Sequence, residues 1–373
     1  MMLRLRGRHV ALLVAAAALM VAMSPGMRVR RPVGPGAWYP ADAAQLYAAV
    51  MQYTNEAETA SRGGRLVGLI APNAPYPLSG PTAGRAYALV HPGQYDRVLV
   101  MSPAHYARFR GCSIASVQCY RTPFGDVPVE PEPVRRLTWS TLFSLRSVSY
   151  RPEVYRRGER VMIHEREHGI EVQLPFLQAR LGTEFAMVPV LVGDVVDRDG
   201  EFDQHAFDTI VGALSDVVDD DTLIVASANL THVGPEYGFT PFRGDLVKGV
   251  EALDAEALSY IIDRDIAGFR AYLERTQNVI PAARTLELLM ALLPEGAIGV
   301  PLHYETSGRL LDDPDSTVSY AAVAFFDPTR PPAEEKPVRL ITSNPDEAPA
   351  ADDDGAEGEE AAAPSAREDN DGS

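Results

Sequence analysis

The run Leu66-Val67-Gly68-Leu69-Ile70 passes directly into Ala71-Pro72-Asn73-Ala74-Pro75-Tyr76, a short unbroken apolar stretch followed by a proline-rich polar turn. An apolar stretch without polar alternation reads as a strand buried on both faces. The pattern recurs: Arg97-Val98-Leu99-Val100-Met101 leads into Ser102-Pro103-Ala104-His105, and Thr222 to Ala226 leads into Ser227-Ala228-Asn229-Leu230-Thr231-His232. Phe185 to Val192 and Val318 to Phe326 are runs of the same kind. Between them lie stretches with helical spacing: Thr82 to Val90, Ile170 to Leu181, Phe207 to Val218, Lys248 to Ile262, Asp265 to Thr276 and Ala283 to Leu293. This alternation predicts an α/β fold, a single three-layer domain whose largely parallel sheet is covered on both faces.

In such sheets, ligands bind beyond the carboxyl ends of the strands. Three strand ends deliver Asn73, His105, Asn229 and His232 to one edge. A lone histidine is more often a hydrogen-bonded structural residue than a ligand. Two at equivalent positions, with asparagines beside them, indicate a polar pocket.

With 373 residues, 46% hydrophobic and 23% charged, the chain can bury a full-sized core. Its net charge of −17 argues against a nucleic-acid-binding body, which needs a basic footprint. The charge is uneven: residues 1–31 carry +6, residues 331–373 carry −10, and the stretch between is mildly acidic. Arg4, Arg6, Arg8 and His9 precede the uncharged run Val10 to Met23, which Ser24-Pro25-Gly26 breaks. These are the proportions of a signal peptide or short N-terminal anchor over 1–26, whereas a spanning helix needs about 20 apolar residues. The expectation is an exported or cell-envelope protein with membrane attachment through this segment. If Met27 is the true start, the chain is cytoplasmic. From Pro331 onward the composition predicts a solvated, disordered acidic tail, or an interaction tail. Cys112 and Cys119 are seven apart, so pairing them needs an intervening turn; a disulfide and two buried thiols both stay open.

His164-Glu165-Arg166-Glu167-His168 formally matches the zinc-protease pattern, in which one helix face presents two imidazoles to zinc. The amphipathic run that follows places the helix start near His168. His164 then lies in the preceding loop, and the geometry of histidines four apart fails.

These segments resemble the MEMO family, known as AmmeMemoRadiSam system protein B, in order over about residues 31–327. Arg31-Pro32-Val33-Gly34-Pro35-Gly36-Ala37-Trp38-Tyr39-Pro40-Ala41-Asp42 is similar to its opening block, and Ala71 to Tyr76 with Ser79-Gly80-Pro81-Thr82-Ala83 to its next. Ser102 to His105 with Phe109-Arg110-Gly111 follows, then Thr122 to Val127. Glu167-His168-Gly169-Ile170-Glu171-Val172-Gln173-Leu174-Pro175-Phe176, Ser227 to His232, Thr306-Ser307-Gly308 and Ser319-Tyr320-Ala321 close the series. The resemblance implies one MEMO-like domain over 31–328, related to the class III extradiol dioxygenases. It also implies a pocket that holds copper or iron through two His and one Cys, lined by a further Asp and His.

Carried over by position, that site is altered. The first ligand His falls on Asn73, the second is retained as His105, and the Cys falls near Ile280. The pocket Asp falls on Asn229, and its partner is retained as His232. Pro75 replaces a Gly, and Gly169 replaces a Ser. Losing an imidazole, a thiolate and a carboxylate removes the donors that hold Cu or Fe.

The leading expectation is therefore a MEMO-like binding or scaffolding module with a degenerate metal pocket, no cofactor, and a protein partner. That pocket comprises Asn73, Tyr76, His105, His168, Glu171, Asn229, His232 and Ile280. An alternative is a metal-dependent redox or dioxygenase-like enzyme using Fe, Cu or Zn. Its site would be rebuilt from His105 and His232 with His168 or Glu171. In a metal-free variant, His105, His168 or His232 would work as an acid/base. The zinc protease is a third reading.

Overall fold

The computed structural model describes residues 28–55, 63–145, 162–313 and 315–341. The five apolar runs become strands β2 (Arg65–Ala71), β3 (Arg97–Pro103), β8 (Ala186–Val192), β9 (Thr222–Ser227) and β12 (Thr317–Asp327). Seven shorter or flanking strands complete the set. These are β1 (Val29–Arg30), β4 (Cys112–Ile114), β5 (Cys119–Thr122), β6 (Gly125–Pro128), β7 (Phe143–Ser144), β10 (Asn229–Val233) and β11 (Ile298–Thr306). The main nine-stranded sheet runs β10-β12-β2-β9-β3-β8-β4-β7, with β11 also on β12; β1, β5 and β6 form a small second sheet. Its centre, β2-β9-β3-β8, is parallel throughout. The flanks turn antiparallel where β12 meets β2, β10 and β11, and where β4 meets β8.

The central strands divide their side chains between two separate cores. Val67, Ile70, Leu99, Met101, Val188, Val190, Ile224 and Ala226 belong to one. Leu66, Leu69, Val98, Val100, Met187, Leu191, Leu223 and Val225 belong to the other. Both faces are buried, which is why the runs are apolar without alternation.

Helices α1 (Ala43–Asn55), α2 (Tyr76–Tyr87), α3 (Pro131–Leu137), α4 (Ile163–Arg166) and α5 (Leu174–Leu181) precede β8. After it come α6 (Gln204–Ser215), α7 (Leu246–Ile262), α8 (Ile266–Thr276), α9 (Ala283–Leu292) and α10 (Ser307–Leu311). Helix α2 starts earlier than its spacing predicts, because Pro77 sits in the first turn, where a missing N–H costs nothing. It lies close on α1: a Cβ at Gly84 would stand 2.3 Å from Tyr53 O.

The two cysteines stand on different strands, both free and buried. Residues 331–341, where composition predicts a solvated tail, run along the body as an extended strap. Ala333 is buried, Lys336 N donates to Pro92 O, and Thr183 N donates to Arg339 O. Gly93 and Gly182, both at positive φ, make room: a Cβ on either would meet strap atoms at 2.6–2.8 Å. Lys336 also pairs with Asp96.

The expected membrane attachment is corrected. Among the described residues, no helix is long and apolar enough to cross a membrane. Residues 1–26, which suggested a leader, and residues 342–373 of the acidic tail lie outside the described residues.

Candidate functional site

The turn after β3 is tied to β8 by Ala104 N donating to Val192 O. It carries His105, which meets the carboxylate of Glu167 twice: its backbone N donates to Oε2 at 2.9 Å, and Nδ1 lies 2.6 Å from Oε1. His168 N and Gly169 N also donate to Oε1, at 3.0 and 3.2 Å. The Glu167 side chain reaches β3 because its own backbone is extended, φ −78° and ψ 127°, between the end of α4 and the next helical turn. Burial alone would push this carboxyl up. The charge and hydrogen bonds of His105, with the charge of His168, outweigh that and hold it at about 2.

His168 is sandwiched between Trp38, at a centroid distance of 3.8 Å, and His105, at 4.4 Å. Its Nδ1 lies 3.1 Å from Tyr106 OH. Burial, and then the charge of His105, push its imidazole down to about 3. Gly169 allows this close stack: a Cβ there would stand 2.0 Å from Ser102 Oγ.

Glu171, four residues on, does not face this cluster. It is fully buried against Arg30 and Tyr39 and accepts from Val33 N and Gly34 N. Arg30 also donates to the carbonyls of His164 (2.8 Å) and Glu167 (2.6 Å). The pair staples the N-terminal segment to the pocket wall. Tyr76 is likewise turned away, its hydroxyl donating to Val172 O at 2.7 Å.

The opposite wall is built of neutral groups. The chain leaves β9, passes the end of β2 through Ala228 N to Ala71 O, and rejoins the sheet as β10 beside β12. Asn229 Oδ1 accepts from Asn73 N at 2.9 Å, and Asn73 Nδ2 donates to Ser227 O at 3.2 Å. Asn73 is 1% exposed, and its Oδ1 has no partner. Gln173 Nε2 braces this wall through Pro72 O and Ser227 Oγ. His232 holds Leu230 O through Nδ1 at 2.9 Å and stands edge-on to Tyr237. Burial, with the charge of His105 acting in the same direction, pushes it down to about 4. Ile280 lies in the apolar core, one residue from Val279, whose carbonyl accepts from His232 N.

The structure thus joins His105 to His168 and Asn73 to Asn229, and brings His105 within electrostatic reach of His232. Reading the sequence alone missed Glu167, Trp38, Tyr106 and Arg30. The signal for Glu167 was its place directly before His168. In the zinc-protease pattern, His164 belongs to the one-turn helix α4, not to a loop. Its Nδ1 pairs with Tyr120 OH at 2.8 Å, and the extended backbone at Glu167 separates its face from that of His168.

Among the described residues, one group of three meets the distance test for a metal ion: His105, Glu167 and His168, with ligand atoms within 4.8 Å of one another. The donor directions fit less well. Glu167 already receives four N–H contacts. The His105 and His168 rings are stacked, with 4.4 Å between centroids and 27° between planes. The positions that the resemblance matches to the family's metal set, Asn73, His105 and Ile280, carry an amide, an imidazole and an aliphatic side chain.

An α/β sheet whose strand ends gather histidines and buried amides defines the structural class. The Memo-like protein family model matches residues 30–324, and the chain belongs to that family. It is 28% identical to the protein memo-1 homolog of Caenorhabditis elegans, over 81% of this chain and 83% of that protein. It is 28% identical to protein MEMO1 of Xenopus laevis and 27% identical to protein MEMO1 of Homo sapiens. Each of these alignments covers 78% of this chain and 95% of the relative.

Proposed function

We propose that this Memo-like protein works as a binding module through the strand-end pocket, without the family's metal. The observation that carries this reading is Asn73. At the position of the first metal ligand stands an amide already engaged with Ser227 and Asn229. The retained His105 is oriented by Glu167 on its Nδ1 side, as metal-binding histidines are, but it lacks the companion donors. Metal analysis of the full chain purified without chelator, followed by Cu and Fe titration, tests this. Less than a tenth of an equivalent bound is expected. Stoichiometric binding that His105→Ala abolishes overturns the reading.

The 4.8 Å spacing of His105, Glu167 and His168 favours a second reading, a divalent ion held by this trio. It requires Glu167 to leave its N–H donors. Binding that disappears in both Glu167→Gln and His168→Ala would establish it.

A further inference from the structure

Helices α2 and α5 both run from the pocket edge toward the amino ends of the central strands. Helix α2 begins just past Asn73 and leads through residues 91–96 into β3, while α5 follows Glu171–Gln173 and leads through residues 182–185 into β8. Their far ends meet. Arg180 donates to the carbonyls of Ala88 (3.2 Å) and Val90 (3.0 Å), and Gly93 N donates to Leu181 O (3.1 Å). The strap lies over this junction and holds both sides of it. Lys336 N donates to Pro92 O and Ala333 O accepts from Gln94 Nε2 on the α2 side, while Arg339 O accepts from Thr183 N on the α5 side. Ala333 is the only buried residue among 331–341, and the ion pair of Lys336 is half exposed. A segment so lightly buried opens at a lower free energy than the core it covers.

From the junction a buried chain of hydrogen bonds leads back to the pocket. Tyr87 OH donates to Gln173 Oε1 at 2.8 Å, and Gln173 Nε2 donates to Pro72 O at 3.0 Å and to Ser227 Oγ at 2.9 Å. Ser227 O accepts from Asn73 Nδ2, and Ser227 Oγ donates to Gly169 O at 2.6 Å. Tyr87 also stacks on Phe176 of α5, with 5.1 Å between centroids, and Ala333 belongs to the same core as both rings. We propose that the strap is a regulatory clamp, whose docking orders the strand-end pocket through Tyr87 and Gln173. Its release loosens residues 167–173 and the turn at Asn73 without unfolding the sheet. The coupling is reciprocal, so whatever fills and orders the pocket also holds the strap down. It concerns the pocket walls and stands apart from the binding-module reading.

The test is hydrogen exchange, read by mass spectrometry, on the full chain carrying Ala333→Asp, which places a charge at the strap's buried position and leaves the body's sequence intact. Exchange should rise in 333–341 and by about tenfold in 167–173, while α9, packed in the other core, stays within about twofold. In a Tyr87→Phe background, which keeps the ring and removes the donor, the same release should change 167–173 by less than about twofold. Lys336→Ala should give the same pattern at smaller size, and carries the test if Ala333→Asp fails to fold. A freely exchanging strap with 167–173 unchanged overturns the clamp. An equal rise in α9 overturns it too, since that marks loosening of the whole fold. So does a response of equal size with and without the Tyr87 hydroxyl. Metal uptake, which decides the binding-module reading, leaves each of these outcomes as informative as before.

Discussion

The two ends of the central strands treat charge in opposite ways. At the carboxyl ends, Glu167, His168, Glu171 and Arg30 are buried and engaged with one another or with backbone, so each fixes the place of a neighbour. At the amino ends, Arg97 pairs with Glu130 and Asp219, Arg65 with Asp221, and Lys336 with Asp96, all in partial contact with water. Buried pairs leave an uncompensated charge when broken, whereas exposed pairs leave only solvated side chains. The carboxyl edge is therefore where single substitutions should reshape the molecule.

The largest effect is expected at the Arg30–Glu171 staple. Glu171→Ala should destabilise the chain by about 3–5 kcal/mol, read from the urea midpoint. The same unfolding curve for Lys336→Ala, at the amino edge, sets the scale for comparison. If the two losses are equal, the contrast between the edges is broken.

Acid should sharpen the contrast. Burial holds His164, His168 and His232 at about 3, 3 and 4 in the folded chain, below the ordinary value of about 6.5. The unfolded chain binds more protons between those values, so stability falls as pH drops from about 6.5 toward 3. His164 alone should account for about 1.4 kcal/mol per pH unit in that window. His164→Gln should flatten the profile of stability against pH by that slope, and an unchanged slope would remove His164 as a cause. The smallest effect belongs to the strap: Lys336→Ala should cost less than about 1 kcal/mol, since its ion pair is half exposed. Its visible result should be faster hydrogen exchange across residues 333–341.

The same contrast explains what the sequence made legible. The central strands were readable to within a residue or two because burial on both faces leaves no other composition for them. The strand-end rule then located Asn73, His105, Asn229 and His232 without any motif. The flanking strands were not readable, since segments such as Cys112–Ile114 are too short to show a period. Glu171 was named for the pocket beside His168, and Glu167 was not. One extended residue at the end of α4 reverses which of the two carboxylates reaches β3. Arg30 was hidden by its company. Among the six arginines of residues 1–31 it reads as leader charge, yet it is one of the largest fully buried side chains of the body.

The Arg30–Glu171 contact joins residues 141 apart in the chain. Chains are synthesised at roughly 5–20 residues per second, so Arg30 is made about 7–28 s before its carboxylate exists. For that interval the amino-terminal arm, which β5 can already pair with, lacks this buried ion pair, and Trp38, which it carries, has no His168 to cover. The pocket wall is thus among the later parts of the molecule to close. A nascent chain stalled short of residue 171 would hold Arg30 without its carboxylate, and β2 and β3 without the strands that flank them in the sheet.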